Sequence, residues 1–149
     1  MTGRDQERRD GEIPPSRDTA AAAARAASSK QAQDIVVLDV SRLIVITDHF
    51  VICTATSTRQ IRSVVEEIER ALREQLGVRP ARREGEGDAG WWLLDYIDVV
   101  VHVFGPDERA FYDLERLWRD APRLDWEEPD AVSSARWIGT AAGRPPCVP

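Results

Sequence analysis

Hydrophobic residues form two continuous runs in the first half of the chain and then recur at helical spacing. Residues 35–40 (IVVLDV) and 50–55 (FVICTA) are nearly all apolar and rich in β-branched side chains, which predicts two strands covered on both faces. Residues 57–60 (STRQ) have the pattern of a capping box, and Gly77 suits the position after a helix C-terminus. Between them, apolar residues spaced by three and four predict one face of a long amphipathic helix: Ile61, Val64, Val65, Ile68, Leu72 and Leu76.

The second half of the chain continues the succession of strands and helices. Residues 91–95 (WWLLD) and 98–104 (DVVVHVF) predict a hairpin, and residues 78–90 predict a short strand followed by an exposed loop. Near the N-terminus, Thr19 is placed to cap an alanine-rich helix at residues 20–27, which should pack loosely at its start because it has few large side chains. After Gly105 and Pro106, a last helix is predicted with the apolar stripe Phe111, Leu114, Leu117 and Trp118. This order predicts an α/β fold, a single-domain sandwich with a mixed, roughly five-stranded sheet.

The predicted hairpin has two different faces, because neighbouring residues of a strand point to opposite sides. A two-residue turn at Tyr96 and Ile97 would pair Asp95 with Asp98, and Trp91 with His102. One face is then uniformly apolar and suited to pack against helices: Trp92, Leu94, Val99, Val101 and Val103. The other face has the mixture of rings and polar groups that is typical of a partner-binding surface: Trp91, Leu93, Asp95, Asp98, Val100, His102 and Phe104.

The residues of this mixed face also have purely structural interpretations. A histidine in a valine-rich strand is more often a satisfied, partly buried residue than a functional one, and Trp91 can belong to the core beneath a loop. Asp95 and Asp98 can stabilise the turn, because Asp side chains accept hydrogen bonds from nearby backbone N–H groups. Ile97 is poorly suited to the positive φ that a tight turn demands, so a wider turn with shifted pairing is an alternative.

Composition and charge limit the classes of function. The chain has 149 residues, of which 42% are hydrophobic, and its formal net charge is −6, which argues against nucleic-acid binding by bulk electrostatics and leaves only local contacts. Its two cysteines, Cys53 and Cys147, form no disulfide framework, and neither a signal peptide nor a membrane span is predicted, so the expected location is the cytoplasm. Residues 1–18 predict a disordered arm, residues 19–125 the folded domain, and residues 126–149 a mobile tail in which Trp126, Trp137 and Ile138 could still dock.

No motif for catalysis emerges from the sequence. The aspartates invite a search for a metal-dependent phosphoryl-transfer site, but none of them lies in an Asp-x-Asp pair beside a Gly-Ser loop, and no phosphate-binding glycine motif is present: Asp34, Asp39, Asp48, Asp95 and Asp98. Residues 54–58 at a helix N-terminus could bind an anion, although most such caps serve only their own helix. Cys53 should be buried and unreactive. We therefore expect no enzymatic activity, no cofactor and no metal.

Five segments in order resemble the ribosomal silencing factor family, also called Iojap-like. They are DIVVLDV at residues 34–40, DHFVICTATS at 48–57, WWLLDY at 91–96, DVVVHVF at 98–104 and YDLERLW at 112–118, and the resemblance spans about residues 19–125. It implies a nucleotidyltransferase-like fold that lacks the catalytic signature. It also implies binding to the large ribosomal subunit through its fourteenth protein, which would block joining of the small subunit and lower translation when nutrients run short.

The resemblance also implies roles for individual residues. The family's tryptophan before the Leu-Leu-Asp string matches Trp91, the residue after its aspartate matches Tyr96, and its strand histidine matches His102. Two positions depart from the family, which usually has glycine in place of Ile97 and an aromatic Tyr, or a Cys, in place of His49. With the mixed hairpin face, these positions give the expected partner-binding set: Trp91, Leu94, Asp95, Tyr96, Asp98, His102 and Phe104.

Other functions stay open at this point. The chain could be a nucleotide-binding protein or enzyme of the nucleotidyltransferase type, if its aspartates converge on a metal. It could also act on precursors of the large subunit as an assembly factor. An exposed aromatic face could pair with itself in a homodimer, which would compete with ribosome binding if the same face were used.

Overall fold

The computed structural model describes residues 14–85 and 90–127. These residues form one open sheet of five strands with four helices. In chain order the elements are α1 (Ser16–Ser29), β1 (Gln33–Asp39), β2 (His49–Thr54), α2 (Thr58–Leu76), β3 (Arg82–Glu84), β4 (Trp91–Asp95), β5 (Val99–Phe104), α3 (Pro106–Tyr112) and α4 (Leu114–Leu117).

The sheet is mixed, with the strand order β1-β2-β5-β4-β3. Strands β2 and β5 run parallel in the centre, and every other neighbouring pair is antiparallel. The apolar run of β2 is buried along its whole length, as its composition predicts, whereas β1 lies at an edge and is exposed at its start. The predicted α/β class and the mixed five-stranded sheet are therefore confirmed.

Helices α1 and α2 cover one face of the sheet. The alanine run of α1 has almost no exposed surface, so the expectation of loose packing is wrong: small side chains allow the helix backbone to approach both the sheet and α2 closely. Thr19 is not the N-cap, because the helix begins at Ser16 and Thr19 is buried within it. The helix thus starts inside the stretch assigned to the arm, of which residues 1–13 lie outside the described part.

Helix α2 has the ends that the sequence predicts. The Ser57 side chain accepts a hydrogen bond from the Gln60 backbone N–H at 3.1 Å, and the Gln60 side chain accepts one from the Thr56 N–H at 2.8 Å. Gly77 ends the helix in the left-handed conformation with φ 71°. Five of the six stripe residues are buried and Leu76 is partly buried against the same core, which confirms this helix.

The opposite face of the sheet carries a second, smaller core. It includes Leu38, Ile52 and Phe104, and residues of the C-terminal segment pack against it. That segment continues along the edge of β1, where the Asp39 N–H donates to the Pro122 carbonyl and the Leu124 N–H donates to the Val37 carbonyl. Trp126 docks on the first core, and its indole N–H donates to the Ile35 carbonyl at 3.3 Å. Residues 128–149 lie outside the described part.

The single last helix is a wrong prediction. Asp113 adopts φ 47° and divides the segment into the two short helices α3 and α4. Because of this break, Phe111 and Leu117 point away from the core, while Leu114 and Trp118 pack against it. The stripe that looked continuous in sequence thus belongs to two different surfaces.

Candidate functional site

The hairpin of β4 and β5 has a different register from the predicted one. Trp91 pairs with Phe104 and Leu93 with His102, so the pairing is shifted by two residues. A shift of two leaves the side-chain alternation unchanged. The division of the hairpin into an apolar face and a mixed face is therefore correct although the pairing is wrong.

The turn explains the shift. The Tyr96 N–H donates to the Val99 carbonyl at 2.8 Å, so that Ile97 and Asp98 form the turn in place of Tyr96 and Ile97. Ile97 adopts the left-handed φ of 78° that its β-branched side chain disfavours. The Asp95 carboxylate accepts a hydrogen bond from the Ile97 N–H at 2.8 Å, which confirms the turn-stabilising interpretation of Asp95.

Four rings on the mixed face form a group that we call the aromatic stack: Trp91, His102, Phe104 and Tyr112. The rings of His102 and Phe104 are nearly parallel, with centroids 5.8 Å apart, and Trp91 lies 5.8 Å from His102 and 5.3 Å from Phe104. Tyr112, from the end of α3, lies 4.5 Å from the Trp91 ring. Strands β4 and β5 thus position three rings, and α3 adds the fourth at the outer side.

His102 is held in its neutral form. The indole N–H of Trp91 donates to His102 Nδ1 at 3.2 Å, which places the imidazole proton on Nε2. Phe50 packs edge-on against the same ring at 5.4 Å. Burial lowers the pKa of His102 to about 4, because the charged form would lose its hydration. His102 therefore accepts the Trp91 hydrogen bond through Nδ1 and helps to hold that ring in place.

The aromatic stack continues into an exposed apolar surface that we call the α3–α4 patch, formed by Phe111, Tyr112 and Leu117. Phe111 is 80% exposed and packs edge-on against Tyr112 at 5.1 Å, while Leu117 is 69% exposed and Tyr112 42% exposed. Apolar side chains with this much exposure on adjacent positions are typical of a surface that a partner covers. The patch and the stack together give one continuous apolar face.

Arg109 fixes the patch to the sheet. Its guanidinium donates to Thr54 Oγ1 at 2.8 Å, to the Asp34 carbonyl at 2.8 Å and to the Glu115 carboxylate at 2.9 Å. These bonds link the ends of β1 and β2 with α3 and α4. Because the guanidinium is largely enclosed, these charge-assisted bonds are shielded from water and hold the short helices in place.

The structure divides the predicted partner-binding residues into two groups. Trp91, Asp95 and Asp98 are partly exposed and remain available for contact. Leu94 and Phe104 have no exposed surface, and Leu94 packs on the helix-covered side, so neither side chain is accessible to a partner in this structure. Their place in the partner-binding set stays a prediction.

Tyr96 and His102 are also buried. Tyr96 points into the helix-covered core, where burial raises the pKa of its hydroxyl, and His102 lies beneath Trp91. Replacing Tyr96 should therefore damage the fold, and its place in the expected partner-binding set stays a prediction.

Sequence reasoning missed the α3–α4 patch. Steps of three residues through Leu114 put Phe111 and Leu117 on the apolar stripe of an unbroken helix, so the sequence predicts that both are buried. The YDLERLW segment contains Tyr112 and Leu117, so the resemblance carried a signal for this surface, but the left-handed Asp113 that exposes it has no clear sequence signature.

A second exposed apolar segment lies at the other end of the sheet. Leu43, Val45 and Ile46 belong to the loop between β1 and β2, and Ile46 is 82% exposed. This loop reaches β2 beside the hairpin turn, where the Asp48 N–H donates to the Asp98 carbonyl at 2.9 Å. It provides exposed aliphatic residues that are separate from the aromatic face.

The aspartates do not form a metal site in the described residues. Within residues 14–85 and 90–127 no group of three or more His, Cys, Asp or Glu side chains could hold a metal ion. Cys53 is fully buried, and burial raises the pKa of its thiol to about 12, as expected for an unreactive cysteine. In the same part of the chain, no helix is long and apolar enough to cross a membrane.

Comparisons with known proteins agree on one family. The model of the family described as "Ribosomal silencing factor during starvation" matches residues 13–143. Two proteins named ribosomal silencing factor are similar to this chain: that of Halalkalibacterium halodurans is 42% identical over 70% of this chain and 89% of its own length, and that of Bacillus subtilis is 43% identical over 69% and 86%. A chloroplastic protein named Iojap from Zea mays is 39% identical over 68% of this chain and 44% of its own length.

Solved structures show the same fold. A crystal structure of a Chromobacterium violaceum protein matches with a TM-score of 0.67 and 32% identity, covering 70% of this chain and 87% of that one. A crystal structure of a Bacillus halodurans protein matches with a TM-score of 0.63 and 37% identity, covering 73% of this chain and 98% of that one. Neither match bears on the implied likeness to nucleotidyltransferases, which stays a prediction.

Proposed function

The chain belongs to the family of ribosomal silencing factors, and from this premise we propose that it binds the large ribosomal subunit through the fourteenth protein of that subunit. Bound there, it blocks the small subunit by its bulk and lowers translation when nutrients run short. This mechanism needs occupancy of a surface and no chemical step.

The observation that carries the proposal is the continuous apolar face made by the aromatic stack and the α3–α4 patch. Exposed Phe111 and Leu117 provide contact area, and Tyr112 connects them to Trp91, which is held in place by His102. Interfaces commonly depend on a few aromatic anchors that are ordered before binding, because ordered side chains lose less entropy when the partner arrives.

The charge of the chain is compatible with a ribosomal protein as the partner. A net charge of −6 complements the cationic side chains that such proteins carry, and it discourages indiscriminate binding to ribosomal RNA. The expected partners therefore include protein and only local RNA contacts. Location in the cytoplasm follows from this role as part of the proposal.

The test replaces one exposed leucine of the patch and one exposed aliphatic residue at the other end of the sheet. Leu117→Ala should weaken co-sedimentation with purified large subunits, with a loss of about 1–2 kcal/mol or roughly tenfold in affinity, as expected for an interface anchor. Ile46→Ala is the matched control, since Ile46 is at least as exposed, and it should bind as the unchanged chain does. Equal binding by both variants would exclude the patch from the interface.

The relatives are named for ribosome silencing and not for a reaction, and no observation on the described residues favours the nucleotide-binding alternative over ribosome binding. A role in assembly of the large subunit would use the same surface on precursor particles. Sedimentation of the chain with mature subunits and with precursors, compared side by side, separates the two roles: binding to mature subunits supports silencing, and binding to precursors alone supports assembly.

A further inference from the structure

The described chain ends at the same end of the sheet from which α3 starts. Residues 122–124 run antiparallel to β1, towards its first residues, and Trp126 is anchored there by its hydrogen bond to the Ile35 carbonyl. The start of β1 lies at the same end of the sheet as the last residues of β2 and β5, because β1 is antiparallel to β2 and β2 is parallel to β5. Helix α3 begins at that end, directly after β5.

The side chain of Arg109 connects α3 with the start of β1, where Trp126 is anchored. Arg109, two residues before Phe111, donates to the carbonyl of Asp34, and Asp34 lines the same small depression as Trp126 and Glu127. Glu127, the last described residue, therefore lies at the end of the sheet from which α3 starts.

The last 22 residues of the sequence contain a matching apolar pair. Trp137 and Ile138 are adjacent and follow Glu127 by ten and eleven residues, a stretch that reaches up to about 35 Å when extended. The intervening sequence begins with Glu128 and Asp130.

The rim of the patch offers two arginines to this acidic stretch. Arg116 and Arg119 line the patch together with Asp113 and Asp120, so the rim carries both signs of charge. Both arginines are exposed, and neither makes an ion pair with another residue of the described chain. Opposite charges at the edge of an apolar contact favour its formation and set its direction.

We propose that the C-terminal segment folds back and places Trp137 and Ile138 on the α3–α4 patch, with its acidic start beside Arg116 and Arg119. The segment thereby covers the surface proposed for ribosome binding and competes with the ribosome for it. The competition with the ribosome rests on the proposed function, whereas the docking of the C-terminal segment on the patch does not. A tethered segment competes at an effective concentration of about a millimolar, so weak docking suffices.

A spin label in the tail tests the docking in the full-length chain. The label is attached to Ser134→Cys in a Cys147→Ser background, where Cys53 does not react because it is buried. In ¹⁵N spectra of this protein, the amide signals of residues 110–119 should broaden, while those of the loop that contains Ile46 should not. Unbroadened signals at residues 110–119 would overturn the proposal.

Two controls show which residues and which molecule cause the broadening. Adding Trp137→Ala and Ile138→Ala should abolish it, whereas Val148→Ala, which truncates an apolar residue near the end of the chain, should leave it unchanged. Mixing unlabelled ¹⁵N protein with spin-labelled ¹⁴N protein should give no broadening. Broadening in the mixture would overturn the proposal in favour of pairing between two copies.

Binding to large subunits tests the competition separately. If the tail covers the patch about nine-tenths of the time, the Trp137→Ala, Ile138→Ala variant should bind about tenfold more tightly. Unchanged affinity, with docking shown by the spin label, would overturn the competition. Absence of ribosome binding by every variant would instead contradict the proposed function, and the spin-label result would still decide the docking.

Discussion

The two faces of the sheet differ in composition and in what covers them. On one side, α1 and the 19-residue helix α2 enclose Leu94, Val101 and Val103 completely. On the other side, short helices and an extended segment cover part of the face, and the aromatic stack extends into exposed Phe111 and Leu117. The uniformly apolar face is thus covered by two long helices, whereas the mixed face, which includes the polar ring atoms of Trp91 and His102, keeps part of its surface exposed to a partner.

The largest difference between the two faces should appear when a leucine is removed from each. Leu94→Ala should destabilise the protein by about 2–5 kcal/mol, because it leaves a cavity in a closely packed core. Leu114→Ala on the other face should cost about 1–2 kcal/mol, since Leu114 is only partly buried. Urea unfolding of both variants measures the two losses, and equal losses would mean that the faces are packed alike.

The buried histidine should make the aromatic side sensitive to acid. The folded-state pKa of His102 lies near 4, below the usual value of 6.5, so the unfolded chain takes up the proton first and stability falls as the pH drops between these values. Between about pH 7.5 and about pH 5 the loss should be about 2 kcal/mol.

The variant His102→Phe keeps a ring in the stack and removes this titration. Its stability should change less over that pH range, and His49, whose pKa burial also lowers, contributes to the slope that remains. Denaturant unfolding at several pH values provides the measurement. A slope as steep as that of the unchanged chain would show that His102 is not protected from protonation.

The hydrogen bond between Trp91 and His102 should have a smaller effect. Trp91→Phe keeps an aromatic ring and removes the indole N–H, which should cost about 1 kcal/mol for the lost bond in addition to the smaller ring. Trp118→Phe is the matched control, because Trp118 also packs against this face but donates no hydrogen bond within the described chain. If both substitutions cost the same in thermal or urea unfolding, the bond contributes nothing to the order of the stack.

The smallest effect concerns the turn that joins the two strands. Ile97→Gly should raise stability by up to about 1 kcal/mol, because glycine adopts the positive φ of this position without the strain of a β-branched residue. Ile97 is exposed, so little packing is lost with its side chain. A decrease in unfolding free energy would show that the turn is not strained.

The sequence was sufficient for the elements and faces that depend on local pattern. Local sequence pattern predicts three features that the structure confirms. They are the amphipathic stripe and caps of α2, the two-residue alternation of β4 and β5, and the continuous apolar run of β2. The sequence was not sufficient where the backbone angle of a single residue decides the strand register or the end of a helix. Ile97 shifts the register by two, and Asp113 divides the last helix, although neither residue type favours the left-handed conformation strongly enough to be predicted.

The candidate site could be predicted only in part for the same reason. The alternation of side chains places Trp91, His102 and Phe104 on one face of the sheet. It does not predict which of them is exposed, because that depends on which segments after β5 pack over this face. Tyr112 and the C-terminal segment supply this cover, and the exposed surface moves outward to Phe111 and Leu117. Burial of Tyr96 on the opposite face follows from the corrected turn.

Sedimentation with separated ribosomal subunits tests the central claim most directly. The purified chain is incubated with large subunits, small subunits are added under conditions that favour joining, and the particles are separated on a sucrose gradient. The account predicts that the chain migrates with free large subunits, that joined ribosomes decrease, and that Leu117→Ala restores joining while Ile46→Ala does not. Migration of the chain with joined ribosomes, or undiminished joining in its presence, would contradict it.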